Sequence, residues 1–239
     1  MEVNKLCKHG VFEDISFKIH EGEVIGFSGL VGAGRTEIAR CIFGLDPYDS
    51  GEIILNGINK YFKNPIDALN AGIAYVTEDR KNEGFIPFMS IKHNLALPSY
   101  DNISKYGFIN TKEESAISKK YFDILKIKAD NDEKDVIELS GGNQQKVSLG
   151  KWLALNPKVL ILDEPTRGID VGTKFEIHNI ISMLAMSGIA ILFISSEMQE
   201  IIGVSDSIVV LRGGKISAIL DPKSVTQDDI MRKSAYTTA

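Results

Sequence analysis

LSGGNQQK, Leu139 to Lys146, is the stretch of this 239-residue chain that decides its fold. Ser140 stands before two glycines at the expected start of a helix. The amides of Gly141 and Gly142 and the positive end of that helix form a surface that favours a phosphate group. An ordinary helix cap would explain Ser140, but it would not explain the two further motifs that accompany this stretch.

The first of these motifs is VLILDEP, Val159 to Pro165, an apolar strand with two acids at its carboxyl end. Open α/β sheets bind their ligands at this end of their strands. We expect Asp163 to hold Mg²⁺, directly or through water, and Glu164 to orient or deprotonate an attacking water. The alternative is a solvent-exposed acidic pair at a strand end, which is a common feature of proteins.

The second motif is GLVGAGRTE, which resembles a phosphate-binding P-loop between a strand and a helix. Its glycines let backbone N–H groups point inward at an anion, although glycines also serve ordinary tight turns. The hydroxyl of Thr36 stands where it should reach a magnesium ion. The predicted phosphate-binding residues of the loop are Gly29, Leu30, Val31, Gly32, Ala33, Gly34, Arg35, Thr36 and Glu37.

The composition excludes several other classes of protein. The formal net charge of −5 argues against a nucleic-acid-binding protein that works through a broad basic face. The histidines lack metal-ligand spacing, so zinc is not expected, and the two cysteines form no pattern. The longest apolar runs are too short to cross a bilayer, so any membrane-spanning part is expected in other subunits.

The pattern of elements predicts an α/β fold with a P-loop core and a mostly parallel sheet. The alternating residues Phe12 to Ile19 predict an edge strand, here assigned to an antiparallel edge subdomain. Residues from about Pro87 to Ile137 are polar and lysine-rich, and they predict a helical insertion without a convincing strand. We expect one domain, 1–239, with this insertion at about 87–150, and a frayed end from Ser234 to Ala239.

The order of the three motifs resembles the nucleotide-binding domain of ATP-binding cassette (ABC) proteins over nearly the whole chain. Three further stretches, AGIAYVTEDRK from Ala71, LDEPTRGIDVG from Leu162 and ISSEM from Ile194, narrow the resemblance. It is to the carboxyl-terminal cassette of tandem ATP-binding subunits of bacterial sugar and small-solute importers. The chain has one cassette where that family carries two in one polypeptide.

The resemblance implies ATP and Mg²⁺ as cofactors, a peripheral location on the cytoplasmic face of the membrane, and no nucleic acid. The implied partners are a second cassette, transmembrane permease subunits and, indirectly, a periplasmic or lipid-anchored solute-binding protein. The solute is left open among pentose, hexose, nucleoside and other small molecules. By the same resemblance, the surface from Glu78 to about Leu97 meets the permease, against the alternative of an exposed charged loop.

Four positions depart from the usual ABC pattern. Arg35 replaces the P-loop lysine, Glu78 replaces the Q-loop glutamine, and no aromatic for adenine lies between Leu6 and Gly10. Ser196 stands at the catalytic position where the family usually has a histidine, called the switch histidine. A serine is too short to contact the γ-phosphate as that histidine does. Glu78 could still touch magnesium, but the planar fork of Arg35 cannot act as a compact ammonium. We therefore predict a site that binds nucleotide and hydrolyses it poorly.

ABC domains act in head-to-tail pairs, in which the signature motif of one domain completes the nucleotide site of the other. We therefore hypothesise that Ser140, Gly141 and Gly142 complete a hydrolysis-competent site on the partner cassette. Two alternatives remain: a regulatory nucleotide-binding module without turnover, and a soluble ABC ATPase outside transport. Asp170 is expected to face the partner cassette or to be a turn acid before a helix. Lys146 and Lys151 are interpreted as helix-surface charges.

Overall fold

The structure, a computed structural model, describes residues 1–235. In this range the strands are β1 Glu2–Lys8, β2 Phe12–Lys18, β3 Val24–Gly29, β4 Ser50–Leu55, β5 Ile58–Lys60, β6 Ile73–Val76, β7 Ser104–Lys105, β8 Phe108–Ile109, β9 Val159–Asp163, β10 Ala190–Ile194, β11 Ser207–Arg212 and β12 Lys215–Leu220. The α-helices are α1 Arg35–Ile42, α2 Pro65–Ala71, α3 Ile91–Ala96, α4 Tyr100–Ile103, α5 Thr111–Ile124, α6 Gly141–Leu153, α7 Val171–Met186, α8 Met198–Val204 and α9 Gln227–Ser234.

The chain divides into two compact units. The first comprises Met1–Tyr75, Lys158–Glu164 and the residues from Ile181 onward, and the second comprises Val76–Pro157 and Pro165–Ile180. The second unit includes the stretch 87–150 that the sequence predicts as a helical insertion, and it extends beyond that stretch on both sides. The single domain over 1–239 stays a prediction.

The main sheet of the first unit has the strand order β12-β11-β3-β10-β9-β6. β3 runs parallel to both β11 and β10, β10 runs parallel to β9, and β12 is antiparallel to β11. β9 and β10 are buried along their whole length, as expected for parallel strands covered on both faces. The predicted α/β fold with a mostly parallel sheet is therefore confirmed.

The second sheet of this unit has the strand order β2-β1-β4-β5, and β1 pairs antiparallel with both β2 and β4. β2 lies at its edge, as the alternation from Phe12 predicts. β1 was not predicted, because its register is interrupted and only Val3 and Leu6 on it are fully buried. The rings of Phe17 and Phe27 meet edge to face, with their centroids 5.1 Å apart, in the core that includes both sheets.

The second unit is built mainly from helices. The predicted helix Glu113 to Leu125 is α5, and the hydroxyl of Tyr121 on it donates a 2.6 Å hydrogen bond to the carbonyl of Leu153 at the end of α6. A two-residue strand pair, β7 and β8, also lies in this unit, although the sequence predicts no strand there. Tyr106 and Gly107 form its tip with positive φ angles of 53° and 83°.

Two predictions about exposure are wrong. Lys146 is 1% exposed and Lys151 is 8% exposed, because α6 is buried on nearly every side. The predicted frayed end is wrong at Ser234, which is the last residue of α9 and is buried. Residues 236–239 lie outside the described part of the chain. None of the helices in residues 1–235 is long and apolar enough to cross a membrane.

We predict opposite effects for two glycine-to-alanine changes in helices. A Cβ on Gly150 in α6 would lie 2.5 Å from Leu95 Cδ2 and 2.8 Å from Leu125 Cδ1, and both leucines are fully buried. Overpacking of this kind costs roughly 1–3 kcal/mol. A Cβ on Gly203 in α8 meets nothing within 4 Å, so the gain in helix propensity of about 1 kcal/mol should remain.

Urea unfolding should therefore show a lower free energy of unfolding for Gly150→Ala and an equal or higher one for Gly203→Ala. A Gly150→Ala protein as stable as the Gly203→Ala protein would contradict the close packing of α6.

We also predict a pH dependence that arises from Lys151. Burial lowers the pKa of Lys151 from 10.5 to about 8. Below pH 8 this lysine is charged in both the folded and the unfolded states. Between these two pKa values the unfolded state binds more protons, so Lys151 makes stability rise with pH, by up to about 3 kcal/mol.

Urea unfolding at a series of pH values from 7 to 10.5 should show this rise, and the Lys151→Met protein should have lost it. Lys119→Met, which removes an exposed lysine, is the control and should keep it. Parallel pH profiles for all three proteins would refute the assignment.

Candidate functional site

The glycine-rich loop connects β3 to α1 in the first unit, in the strand-loop-helix context that the motif needs. Gly32 and Gly34 have φ angles of 79° and 99°, which other residues rarely adopt. Gly34 is the N-cap of α1, and no side chain caps this helix end. Val31 is 95% exposed. The loop thus presents backbone amides and an uncapped helix N-terminus to solvent, which suits an anion.

A cavity of about 490 Å³ lies at the turn between β1 and β2 and is lined in part by His9, Phe12 and Asp49. It adjoins the loop, because a Cβ on Gly34 would lie 3.7 Å from Phe12 Cβ and 3.7 Å from Val11 O. Phe12 itself is buried, at 4% exposure. The cavity therefore lies next to the glycine-rich loop, although no residue from Gly29 to Glu37 lines it.

Asp163 ends β9 and is fully buried, as expected for the first acid of the pair. The Tyr75 hydroxyl donates a 2.8 Å hydrogen bond to Asp163 Oδ2. Burial raises the pKa of Asp163, and hydrogen bonding from the Tyr75 and Thr36 hydroxyls opposes the rise. Asp163 Oδ1 is buried and has no hydrogen-bond partner among the described residues.

This unpartnered oxygen bears on the magnesium predicted for the site. A carboxylate oxygen beside the Thr36 hydroxyl is the kind of ligand that Mg²⁺ prefers, together with waters and phosphate oxygens. Among residues 1–235 no group of three or more His, Cys, Asp and Glu side chains could hold a metal ion. Asp163 and Thr36 therefore fit a magnesium that arrives with a nucleotide, and do not form a cage of their own.

Glu164, the second acid, is held on both of its carboxylate oxygens. Arg35 Nη1 lies 3.7 Å from Glu164 Oε1, and the Ser196 hydroxyl donates a 3.0 Å hydrogen bond to Oε2. Arg35 Nη1 also donates a 2.9 Å hydrogen bond to the carbonyl of Ser195. The side chains of Arg35 and Glu164 are only 10% and 9% exposed, so solvent screens their attraction weakly.

The backbone at Glu164 is unusual as well. Its φ angle of 48° is in the left-handed region, which costs a non-glycine residue roughly 1–3 kcal/mol. The amide of Glu164 donates a 2.9 Å hydrogen bond to the carbonyl of Ile194 at the end of β10. Neighbouring strand ends therefore hold the acid in a strained position, which is typical of functional residues.

The second unit contains the remaining predicted residues. Ser140 is exposed and is the N-cap of α6, and its hydroxyl accepts a 3.0 Å hydrogen bond from Asn143 Nδ2. A Cβ on Gly142 would collide with the side chain of Thr173, so close packing requires a glycine there. Glu78 forms an ion pair with Arg167 in this unit.

The sequence profile of the ABC transporter family matches residues 12–167 of the chain. This chain belongs to the ABC transporter family. Its resemblance to ABC nucleotide-binding domains, stated above from the motifs, is thereby confirmed. Nucleotide binding, with Mg²⁺ as the usual companion ion, and ATP hydrolysis are general properties of such cassettes.

Two curated relatives resemble this ABC cassette over nearly all of its length. The ribose import ATP-binding protein RbsA of Geobacillus kaustophilus is 48% identical over 97% of the chain. The ribose import ATP-binding protein RbsA of Lacticaseibacillus paracasei is also 48% identical over 97% of the chain. The chain spans about half of each relative, at 47% and 46% of their lengths.

Solved ABC cassettes share the fold at low sequence identity. MJ1267, an ATP-binding cassette of an ABC transporter, has a TM-score of 0.84 at 22% identity, with 98% of each chain covered. The ATP-binding cassette MJ0796, in a post-hydrolysis state bound to ADP and Pi, has a TM-score of 0.79 at 19% identity, with 94% of this chain and 99% of that chain covered. The predicted ABC ATPase fold is confirmed.

Sequence reasoning missed three contacts of this cassette. Tyr75 binds the first acid; a tyrosine in a buried strand requires a polar partner, and this was the available signal. Arg167 pairs with Glu78, and no local pattern indicates it. Lys146 Nζ binds Glu176 Oε2 at 2.7 Å. Its burial was detectable, because Gly142, Lys146, Leu149 and Leu153 fall at helical spacing on one face.

Asp170 caps α7 in the structure. Its carboxylate accepts a 2.9 Å hydrogen bond from the Thr173 amide and a 2.7 Å hydrogen bond from the Thr173 hydroxyl. These bonds lower the pKa of Asp170. These contacts are those of an acid in the turn before a helix, which was one of the two expectations for Asp170. The other expectation, that Asp170 faces a partner cassette, stays a prediction.

Proposed function

We propose that this chain is an ATP-binding cassette of a bacterial importer for a sugar or a related small solute. Its own nucleotide site is weakened, and its LSGGNQQK stretch completes a site on a partner cassette. The relatives named above are ribose import proteins, which supports sugar as the class of solute. The observation that carries the weakened site is the contact of the P-loop cation, Arg35, with Glu164.

This contact affects both of the residues that form it. A general base needs a free lone pair within hydrogen-bond reach of the attacking water. Glu164 instead directs one oxygen at a guanidinium and the other at the Ser196 hydroxyl. Arg35 directs its charge at an acid and a carbonyl of its own chain, away from the role of a compact ammonium on β- and γ-phosphates. Slow hydrolysis follows from both effects.

The first unit keeps the groups that binding requires. The loop amides from Gly29 to Glu37 cradle the phosphates, and Thr36 and Asp163 hold the magnesium that accompanies the nucleotide. That ion neutralises charge on the phosphate oxygens. Glu78 forms an ion pair with Arg167 within the second unit, and its role as a magnesium ligand stays a prediction. Ser196 lacks the length of a histidine and binds the acid instead.

The second unit supports donation to a partner. Ser140 is exposed, and the first turn of α6 contains no acidic side chain. Ser140, Gly141 and Gly142 therefore form an exposed helix N-terminus that can bind an anion, as the LSGGNQQK motif is expected to do. A second cassette would supply the P-loop that faces it. The segment from Glu78 to about Leu97 would contact permease subunits at the cytoplasmic face of the membrane, and a solute-binding protein would act through those subunits.

A second candidate function is a regulatory nucleotide-binding module without any turnover. The same Arg35–Glu164 contact favours it, because a fully occupied base would abolish hydrolysis in this site. The two candidates differ in whether the assembled pair of cassettes hydrolyses ATP. A soluble ABC ATPase outside transport has no comparable support from a contact in this structure.

We predict that the purified chain binds Mg-ATP with negligible phosphate release. Arg35→Lys combined with Ser196→His should raise phosphate release by about 10²-fold, because charge-stabilising contacts of this size are restored. The gain should vanish when Glu164→Gln is added. Arg40→Lys, a matched change in the same helix, should leave turnover unaltered. Brisk turnover of the unmodified chain that Glu164→Gln abolishes would overturn the weakened site.

We further predict that the chain acts on ATP mainly through its LSGGNQQK stretch. With the partner cassette present, Ser140→Arg should lower steady-state ATP hydrolysis by about 10²-fold or more, because it places a bulky cation at the donated phosphate contact. Glu164→Gln should have little effect. Ser115→Arg, at an exposed serine of α5, is the control. The reverse ranking of Ser140→Arg and Glu164→Gln would refute donation.

A further inference from the structure

Arg80, in the second unit, is a cation without a carboxylate partner among the described residues. Burial lowers the pKa of Arg80, and no charged group contributes to that shift. Its Nε is buried and has no hydrogen-bond partner within residues 1–235. Because a guanidinium stays protonated in proteins, the structure buries part of a positive charge without neutralising it. Proteins usually pair such charges.

The side chain of Arg80 brings its guanidinium to the start of α6. Arg80 Cγ lies 3.4 Å from the position that a Cβ would take on Gly84, and Ser148 Oγ lies 3.0 Å from the same position. At the other end, Arg80 Nη2 lies 3.2 Å from the Cβ position on Gly141. The stem of Arg80 therefore lies beside Gly84, and its guanidinium lies beside Gly141, the first residue of α6.

This end of α6 is already positive. The first turn contains no acidic residue, and no side chain caps the helix at Ser140. Backbone bonding within the helix begins with the amide of Gln144, which donates to the Ser140 carbonyl at 2.9 Å. A helix N-terminus attracts anions and disfavours a neighbouring cation. Arg80 adds positive charge to that end and none of the described carboxylates offsets it.

A purely structural role explains these observations less well. A packing arginine would keep its stem against Gly84 and Ser148 and turn its charged end to solvent or to an acid. Lys81, the next residue, is exposed in this way. The guanidinium of Arg80 instead lies beside Gly141, at the N-terminus of α6. The arrangement gains a compensating charge only when an anion binds there.

We propose that Arg80 contacts the γ-phosphate of the nucleotide held by the partner cassette, together with Ser140 and Gly141. This proposal rests on the proposed function, in which the LSGGNQQK stretch completes the partner's site. In hydrolysis, water forms a bond to the γ-phosphorus while the bond to the ADP oxygen breaks. The proton of the water passes to the partner's base. Arg80 transfers no proton; it stabilises the negative charge on the transferring phosphoryl group.

The test uses the assembled transporter, in which this chain is paired with its second cassette. Arg80→Met, Arg80→Gln and Arg80→Lys are compared with Lys119→Met, which removes an exposed charge of α5 outside the segment proposed to contact the permease. The measurements are kcat and KM for ATP, and inhibition by ADP with aluminium fluoride, which mimics the transferring phosphoryl group. Thermal unfolding of each protein shows whether a variant is folded.

Arg80→Met and Arg80→Gln should lower kcat by about 10²–10³-fold with little change in KM. Inhibition by ADP with aluminium fluoride should weaken in parallel. Arg80→Lys should recover part of both losses because it restores the charge, and Lys119→Met should match the unmodified protein. If Arg80→Met and Arg80→Gln instead change KM for ATP by the same factor as inhibition by ADP with aluminium fluoride, Arg80 is a packing residue and the proposal is wrong. The proposal is also wrong if Arg80→Lys recovers neither kcat nor the inhibition.

Ser140→Arg separates this proposal from the proposed function. If Ser140→Arg leaves turnover unchanged, donation of the LSGGNQQK stretch fails, and the role of Arg80 fails with it. If Ser140→Arg abolishes turnover while Arg80→Met behaves as Lys119→Met does, donation stands and only the role of Arg80 is refuted.

Discussion

Parallel pairing of β3, β10 and β9 is the constraint on which the nucleotide site depends. In parallel strands the carboxyl ends lie at one edge of the sheet. The register pairs Ile194 with both Phe27 and Asp163, so the P-loop, the acid pair and Ser195 all begin at the same level. Burial of these strands on both faces makes the register costly to change, because apolar surface would become exposed.

At this edge of the sheet, the charge of Arg35 determines which groups contact Glu164. A lysine in the P-loop would have a compact charge on a flexible stem, whereas the guanidinium of Arg35 is planar and reaches several acceptors at once. In this chain those acceptors are Glu164 and the Ser195 carbonyl. Low exposure strengthens the pair, since water does not screen it. The P-loop cation of this chain thus lies against the second acid of the strand end.

The second unit shows the opposite situation. Its α6 keeps an open N-terminus with an exposed Ser140, and the guanidinium of Arg80 lies beside Gly141 without a neutralising acid among the described residues. Behind this surface, Lys146 is neutralised by Glu176 and bonded to the Lys126 carbonyl. Positive charge that is paired holds the helix in place, and positive charge that is unpaired remains available for an anion. This contrast supports a chain that contributes more to a partner's site than to its own.

The sequence by itself determined the family, the strand-loop-helix context of the P-loop, the acid pair and the positions that depart from the ABC pattern. These features depend on local order along the chain, such as glycine spacing, strand length and helix starts. Only the tertiary structure decided the partners of the charged residues. The contact of Arg35 with Glu164 joins residues far apart in sequence, and so do those of Arg167 with Glu78 and of Lys146 with Glu176. Such pairs form where packing brings side chains together and excludes water, and no local pattern contains that information.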